Sequence, residues 1–145
     1  MLKHSDEEFR IYDNDLSGDI AEQYEGFYPA LIDYVVKRKH ILKIVIENHN
    51  IENTKIFKLL EILNKAHSDK VFVKKSSPLF KKEINSLFDN PVNFAIADSS
   101  AIRLEESGNA DELTRKAFCS FNKPEIVNSL KKVFDAQFET CESVF

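Results

Sequence analysis

The amino-acid sequence predicts an α/β fold, in which a mixed, largely parallel sheet is flanked by helices. Short runs rich in branched apolar residues alternate with segments whose apolar residues recur at helical spacing, the pattern of strands alternating with helices. The nearly continuous apolar run at 41–46 is typical of a strand that is covered on both faces. With 145 residues, 43% of them hydrophobic, the chain is long enough for one core, so we assign residues 1–145 to a single domain.

The first half of the chain predicts three strands separated by two helices. In order, these are a strand at 9–13, a helix at 20–35, a strand at 41–46, a helix at 56–63 and a strand at 71–73. Pro29 interrupts the first helix, because proline lacks a backbone donor and clashes with the preceding turn, so we expect either a kink or a split into a short helical turn and a longer helix that begins near Tyr28. Each helix returns the chain to the sheet, and right-handed crossovers limit the topologies that can result.

The second half of the chain predicts two helices and three strands. In order, these are a short helix at 79–88, strands at 92–97, 101–105 and 117–121, and a helix at 122–138. Asn122 is the expected N-cap of the last helix, with Glu125 three residues later as in a capping box. The face of this helix that is expected to be buried consists of Ile126, Leu130, Val133, Phe134 and Phe138. The polar stretch at 106–112 is expected to be an exposed loop.

Composition excludes several classes of function. The apolar runs fall well short of the roughly 20 residues that a bilayer span needs, and the first residues lack the apolar core of a signal peptide, so a cytoplasmic protein without membrane contact is expected. The chain has 3 glycines, too few and too scattered for a phosphate-binding or dinucleotide-binding loop, and no cofactor is expected. No metal site is expected, and Cys119 and Cys141 are expected to be free thiols.

Positive charge is concentrated in the middle third of the chain, although the net charge is −4. Lys74 and Lys75, and then Lys81 and Lys82, are candidate contacts for phosphate or nucleic acid. The simpler interpretation is that these lysines form solvated faces beside acidic neighbours in the fold. We favour it over nucleic-acid binding, because no aromatic residues are regularly interleaved with the basic clusters as stacking platforms.

A strand-like run that ends in an acid carries the most informative motif. It spans 90–98 and is followed by a second strand-like run at 101–105. The chain resembles phospholipase D-like domains, which carry an H-x-K-x-x-x-x-D motif at this place. Counting back from Asp98 puts Asn93 at the lysine position and Pro91 at the histidine position. The resemblance covers 9–140 and is to a small bacterial family of such domains. The other segments on which the resemblance rests are the strand at 9–13, the turn at 12–16, Arg103-Leu104-Glu105 and the segment at 121–135.

The resemblance implies a half-domain that lacks the residues for cleaving phosphodiesters. Enzymes of this kind pair two motifs, either from two halves of one chain or across a homodimer. They use a histidine to attack phosphorus and lysines to hold the phosphate charge. Neither Pro91 nor Asn93 can do this, so we expect a non-catalytic module, a pseudoenzyme with a regulatory or protein-interaction role in a homodimer or with a protein partner. Asp98 is expected to cap the turn at 99–100 by accepting backbone N–H groups.

Two alternatives remain open. His49 follows the predicted central strand, and ligands of open α/β sheets bind near the carboxyl ends of strands. Together with the residues of the motif region, the candidate ligand-binding residues are His49, Asn93, Asp98 and Arg103. A phosphodiesterase or nuclease that uses non-standard residues would need His49 to lie within hydrogen-bond reach of Asp98. A nucleic-acid-binding module would use the basic segment 37–82 without chemistry. The simpler interpretation of His49 is a loop histidine without a role.

Overall fold

The computed structural model describes residues 1–14, 16, 26–48, 51–106 and 117–145. The strands are β1 (Glu8–Asp13), β2 (Ile41–Ile46), β3 (Val71–Lys75), β4 (Val92–Ala97), β5 (Ala101–Glu106), β6 (Ala117–Ser120) and β7 (Glu142–Ser143). The helices are α1 (Phe27–Ile32), α2 (Lys55–Ala66), α3 (Pro78–Asn85) and α4 (Pro124–Phe138). Helix α1 continues directly into a π-helical segment, Asp33–Lys37, and a 3₁₀ turn spans Leu2–His4.

The strands form one mixed sheet in the order β6-β5-β4-β1-β2-β3-β7. Within the described residues, the β1–β2 and β2–β3 pairs are parallel and the other four pairs are antiparallel. The prediction of an α/β fold with a mixed sheet is therefore confirmed, but the expectation of a largely parallel sheet is wrong. A turn over 98–100 joins β4 to β5, and so short a link reverses the chain, whereas parallel neighbours need a crossover of about a dozen residues or more.

Helices cover both faces of the sheet, and each face has its own apolar core. Helices α1 and α2 pack on one face, and α3 and α4 pack on the other. The side chains of β2 show this division, because Leu42 and Ile44 join the core under α1 and α2 while Val45 joins the core under α3 and α4. The prediction that the run at 41–46 is covered on both faces is confirmed.

Two of the four helices, α2 and α3, have a side-chain cap at the N-terminus, and α1 and α4 have none. Thr54 caps α2 and Ser77 caps α3, each by accepting the amide three residues further on. The expected cap at Asn122 is wrong, because α4 begins at Pro124 and the residue before it makes no side-chain cap. Proline is well suited to the first helical turn, since its φ is already fixed near the helical value.

The boundaries of two other elements test the sequence-based predictions. Helix α1 begins at Phe27 and carries Pro29 in its first turn, so the expectation of a helix beginning near Tyr28 is confirmed. The predicted helical segment at 20–25 and the predicted loop residues 107–112 lie outside the described residues. Within the described part of the chain, no helix is long and apolar enough to cross a membrane.

Candidate functional site

The residues at the motif positions lie along β4 and do not converge. Asn93 is the second residue of this strand, and Asp98 directly follows its last residue. Five residues of extended chain span about 17 Å, so the lysine position and the acid position lie near opposite ends of the strand. Pro91 is exposed just before β4, and Asn93 is half-buried opposite Glu105 of β5.

The Asp98 carboxylate binds the amino-terminal segment of the chain. Its Oδ1 accepts hydrogen bonds from the Ser5 hydroxyl at 2.9 Å and from the amides of Glu7 and Glu8 at 2.9 and 3.2 Å. Its Oδ2 accepts the amide of Asp6 at 2.9 Å. The side chain thus accepts backbone N–H groups as expected, but the expected partners in the turn after β4 are wrong. A local sequence pattern cannot show the observed partners, because Asp6 and Glu7 lie more than 90 residues away from Asp98 in the sequence.

Four donors of the same chain therefore bind the carboxylate, three at Oδ1 and one at Oδ2. Burial alone would raise the pKa of Asp98, but the hydrogen bonds from residues 5–8 outweigh it and lower the pKa below its ordinary value. Asp98 has a φ of 53°, in the left-handed region that aspartate tolerates better than most residues. The residue at the acid position of the motif therefore joins the end of β4 to residues 5–8, and its carboxylate binds four donors of the same chain.

The same network continues into the π-helical segment after α1. The Ser5 hydroxyl oxygen lies 2.9 Å from that of Tyr34, and burial raises the pKa of Tyr34 to about 12. Arg38 lies over the Tyr34 ring and donates to the carbonyl oxygens of Leu2, at 2.9 Å, and of Ser5. The amino-terminal segment is therefore fixed between the end of α1 and the end of β4.

The other candidate ligand-binding residues are placed as follows. Arg103 is on β5 and forms an ion pair with Glu105, which is buried. His49 lies outside the described residues, so its convergence with Asp98 stays a prediction. The structure thus brings neither Arg103 nor Asn93 to Asp98, because both lie along β4 and β5 away from the turn that joins them.

The candidate phosphate-binding lysines are divided between the faces of the sheet and partly neutralised. Lys74 and Lys75 are neighbours on β3, so their side chains point to opposite faces. Lys74 donates to the Phe138 carbonyl at 3.1 Å and to Glu139 at 3.0 Å, and it lies over the Phe138 ring. Lys81 and Lys82 are exposed on α3. Of these two, Lys81 donates to Glu47 at 2.6 Å.

The carboxyl ends of β1 and β2 carry a polar pair that the sequence reading missed. The Tyr12 hydroxyl donates to Glu47, the residue that directly follows β2, and Glu47 also receives the hydrogen bond from Lys81. Burial first, and then the hydrogen bond to Glu47, raise the pKa of Tyr12 far above its ordinary value, so its hydroxyl stays protonated. An acid directly after β2, which the sequence predicted as the central strand, was the available signal. Its carboxylate is engaged by a tyrosine and a lysine of the same chain.

A second polar cluster, which we call the Arg10 cluster, consists of Glu8, Arg10, Lys43 and Asp135. Arg10 is almost fully buried on β1 and binds Asp135 of α4 through two hydrogen bonds, at 2.8 and 2.9 Å, and also binds Glu8. The Lys43 ammonium lies 3.7 Å from Glu8 and 3.6 Å from Asp135. Two acids balance two bases, so the cluster is electrically neutral. Arg10 Nη1 has no hydrogen-bond partner among the described residues.

An apolar surface lies at the other end of the sheet, and we call Phe118, Phe121 and Ile126 the β6 patch. Their exposed fractions are 49%, 61% and 42%. In the described part of the chain, β6 is the outermost strand on this side and β5 is its neighbour. A shallow cleft of about 170 Å³ adjoins it, lined by Val92, Leu104, Glu106, Ala117 and Phe118. Phe118 lies on β6, Phe121 directly follows it and Ile126 lies in the first turn of α4, so the three exposed residues fall within one short stretch of chain at this edge of the sheet.

Comparison with known proteins adds no relative to this description. No family model matches the chain, and no curated protein sequence matches it. Among the described residues, no group of three or more histidine, cysteine, aspartate or glutamate side chains is placed to hold a metal ion.

Proposed function

We propose that this chain is a non-catalytic phospholipase D-like half-domain that acts as a protein-interaction module. The observation that carries the proposal is the structural engagement of the Asp98 carboxylate, which accepts four hydrogen bonds from residues 5–8 of the same chain. The mixed sheet with helices on both faces is compatible with such a half-domain.

The chemistry of phosphodiester cleavage supports the non-catalytic part of the proposal. A covalent mechanism needs a nucleophile, a proton donor for the leaving group and positive charge on the phosphate. Pro91 supplies no nucleophile and Asn93 supplies no charge. Arg103, on the neighbouring strand β5, is paired with Glu105. Lys74 and Lys81 are likewise paired with carboxylates of the same chain.

The β6 patch supports the interaction part of the proposal. Phe118 and Phe121 each keep about half or more of their surface exposed, although burying an aromatic ring is strongly favourable. The four residues of β6 are Ala-Phe-Cys-Ser, and none of them is charged. An open sheet edge without charged residues is a template for pairing with another strand.

Activity assays with the purified chain test the non-catalytic proposal. We expect no hydrolysis of bis(4-nitrophenyl) phosphate, single-stranded DNA or double-stranded DNA above the buffer rate, with or without added divalent cations. Asp98→Asn and the exposed-acid control Asp89→Asn should behave alike in these assays. Hydrolysis by the wild-type chain that is lost on Asp98→Asn, but kept on Asp89→Asn, would contradict the proposal, provided that both variants remain folded by circular dichroism.

A further inference from the structure

We infer that Tyr34, Arg38 and Asp98 form a clamp for a short peptide segment, and that residues 2–6 occupy this clamp as a releasable internal ligand. We call residues 2–6 the strap. The peptides that fit the clamp carry an apolar residue three positions before a residue with a hydroxyl group, as Leu2 and Ser5 do. The inference concerns a different surface from the β6 patch and does not depend on the proposed interaction role, so each can fail without the other.

The clamp binds the strap mainly through its backbone. Arg38 donates to the carbonyl oxygens of Leu2, at 2.9 Å, and of Ser5. Asp98 accepts the Asp6 amide at 2.9 Å. A fixed cation thus holds carbonyl groups and a fixed anion holds an amide, and such charge-assisted hydrogen bonds are stronger than bonds between neutral groups. Main-chain contacts of this kind bind a peptide whatever the identity of most of its side chains.

Two side chains of the strap add specificity. Leu2 is buried and joins the apolar core under α1 and α2. Ser5 is fully buried, and its hydroxyl oxygen lies 2.9 Å from Asp98 Oδ1 and 2.9 Å from the Tyr34 hydroxyl oxygen. The two residues between Leu2 and Ser5 are exposed. The clamp therefore selects a peptide at two positions that are three residues apart.

Irregular backbone flanks the clamp on both sides. The π-helical segment Asp33–Lys37 leads directly into Arg38, whose amide binds the Asp33 carbonyl. Of the three non-glycine residues with positive φ in the described chain, two lie at the clamp, namely Lys39 at 59° and Asp98 at 53°. Such conformations are uncommon, and they concentrate at ligand clamps and switch segments, as π-helical turns do at functional sites. Their convergence on these residues supports a binding role.

The strap has no strand partner among the described residues. Strand β1 begins at Glu8, and the carbonyl groups of Glu7 and Glu8 are bound by the amides of Ile41 and Asp98. These bonds anchor the chain just after the strap, so residues 2–6 can leave while β1 keeps its place in the sheet. Segments without ladder hydrogen bonds open locally at a lower free energy than the sheet does. The contacts of the strap are therefore those of a releasable segment.

Release of the strap leaves three polar groups open to a peptide in trans. They are the Asp98 carboxylate, the Arg38 guanidinium and the Tyr34 hydroxyl, beside the apolar site that Leu2 leaves. Because the strap is tethered, it competes at an effective concentration of about millimolar. An external peptide binds only the released fraction, so its apparent affinity falls in proportion to that fraction. A variant that weakens the strap alone should therefore strengthen binding of the external peptide.

Titration of the isotope-labelled chain with a peptide of its own residues 1–7, followed by two-dimensional NMR, tests the inference. We expect the wild-type chain to bind this peptide with a dissociation constant of about millimolar. Ser5→Ala removes the hydroxyl of the strap and leaves the clamp intact, so it should bind the same peptide about tenfold more tightly. Lys3→Ala, on an exposed strap residue, should bind it as the wild type does.

The sequence of the peptide provides the matched control. A peptide with alanine at the position of Ser5 lacks the hydroxyl that Asp98 and Tyr34 bind, so the gain in the Ser5→Ala chain should be lost. The same spectra show whether each chain variant is folded. Equal affinity of the two peptides for the Ser5→Ala chain, or binding by that chain no tighter than by the wild type, would overturn the inference.

Hydrogen exchange of the wild-type chain tests release of the strap without any substitution. The Asp6 amide should exchange by local opening, at least about tenfold faster than the Leu42 amide of β2 after correction for intrinsic rates, and low urea should leave its rate unchanged. The Leu42 amide should exchange only through global unfolding. Equal protection of the two amides would mean that the strap leaves only when the whole fold opens, and the inference would then be wrong.

Discussion

Arg10 and Asp135 are joined by two parallel hydrogen bonds, from Nε to Oδ1 at 2.8 Å and from Nη2 to Oδ2 at 2.9 Å. One residue lies on the central strand β1 and the other on the last helix, α4. This pair fixes both the position and the rotation of α4 over the sheet, because the fork of the guanidinium matches a carboxylate in one plane.

Removal of the Asp135 charge should destabilise the fold. Asp135→Asn leaves the almost fully buried Arg10 with Glu8 as its remaining counter-ion, and we expect a loss of about 2 kcal/mol in the free energy of unfolding. Urea denaturation followed by circular dichroism measures it. The exposed Lys132→Ala on the same helix is the matched control, with an expected change within about 0.5 kcal/mol. A loss in Asp135→Asn no larger than in the control would contradict the interpretation of the Arg10 cluster.

Loss of the Asp98 charge should loosen the amino-terminal segment. Asp98→Asn replaces one acceptor oxygen with an NH₂ group facing donors, so we expect a loss of about 1–3 kcal/mol in the free energy of unfolding. Hydrogen exchange locates the effect: the amides of Asp6, Glu7 and Glu8 should exchange faster than in the wild type. The exposed Asp89→Asn should change neither quantity. Unchanged exchange at those three amides would contradict the hydrogen bonds to Asp98.

Stability should fall at acid pH through Asp98. Its pKa is lowered in the folded chain, so its contribution to stability is present above the ordinary value of 3.8 and is lost as the pH falls through the folded-state pKa. The difference in unfolding free energy between wild type and Asp98→Asn should therefore be constant near neutral pH and shrink below about pH 4. A difference that grows toward acid pH would contradict the direction of this shift.

Tyr34 should act in the opposite direction at alkaline pH. Its pKa is raised by burial to about 12, above the ordinary value of 10.0. The stability that comes from keeping it protonated is present below pH 10 and is lost as the pH rises toward 12. Spectrophotometric titration of tyrosinate in wild type and Tyr34→Phe measures the shift. If the missing absorbance change in Tyr34→Phe corresponds to a group with an ordinary pKa, the burial of the Tyr34 hydroxyl is contradicted.

The aromatic cluster under α4 should carry much of the stability of that face. Phe134 is fully buried and contacts the rings of Phe80, Phe94 and Phe138, with centroid distances of 5.3, 6.2 and 5.5 Å. Phe134→Ala should cost about 3–5 kcal/mol. Ile126→Ala on the same helix should cost less than about 1 kcal/mol, because Ile126 is 42% exposed. Urea denaturation of both variants tests the difference, and equal losses would contradict it.

Local patterns in the sequence predicted most strands and helices of the described chain. The runs at 41–46 and 92–97 match β2 and β4, because continuous or alternating apolar residues reflect burial on the faces of one strand. The helical stripe of α4 was predicted with one error. Ile126 was expected to be buried and is exposed, whereas Val127 is fully buried. Ile126 and Val127 lie four and three residues before Leu130, so helical spacing alone does not decide which of them faces the sheet.

The polar networks could not be predicted, because their partners are distant in sequence. Arg10 alternates with Phe9 and Ile11 as a solvent-facing residue of a half-buried strand would, yet α4 covers it. The sequence shows neither the packing of α4 over Arg10 nor the binding of the amino-terminal segment by Asp98. Strand β7 was missed for a different reason, since two residues are too few to show any period. The order of the strands likewise depends on contacts that no window of sequence contains.

The ion pair between Arg10 and Asp135 also joins two parts of the chain that lie 125 residues apart in sequence. Of the two acids that bind Arg10, Glu8 lies on the same strand, whereas Asp135 lies on α4. The environment of the buried guanidinium is therefore complete only after α4 has packed on the sheet. Contacts between residues so far apart slow folding, because a long loop must close before they form.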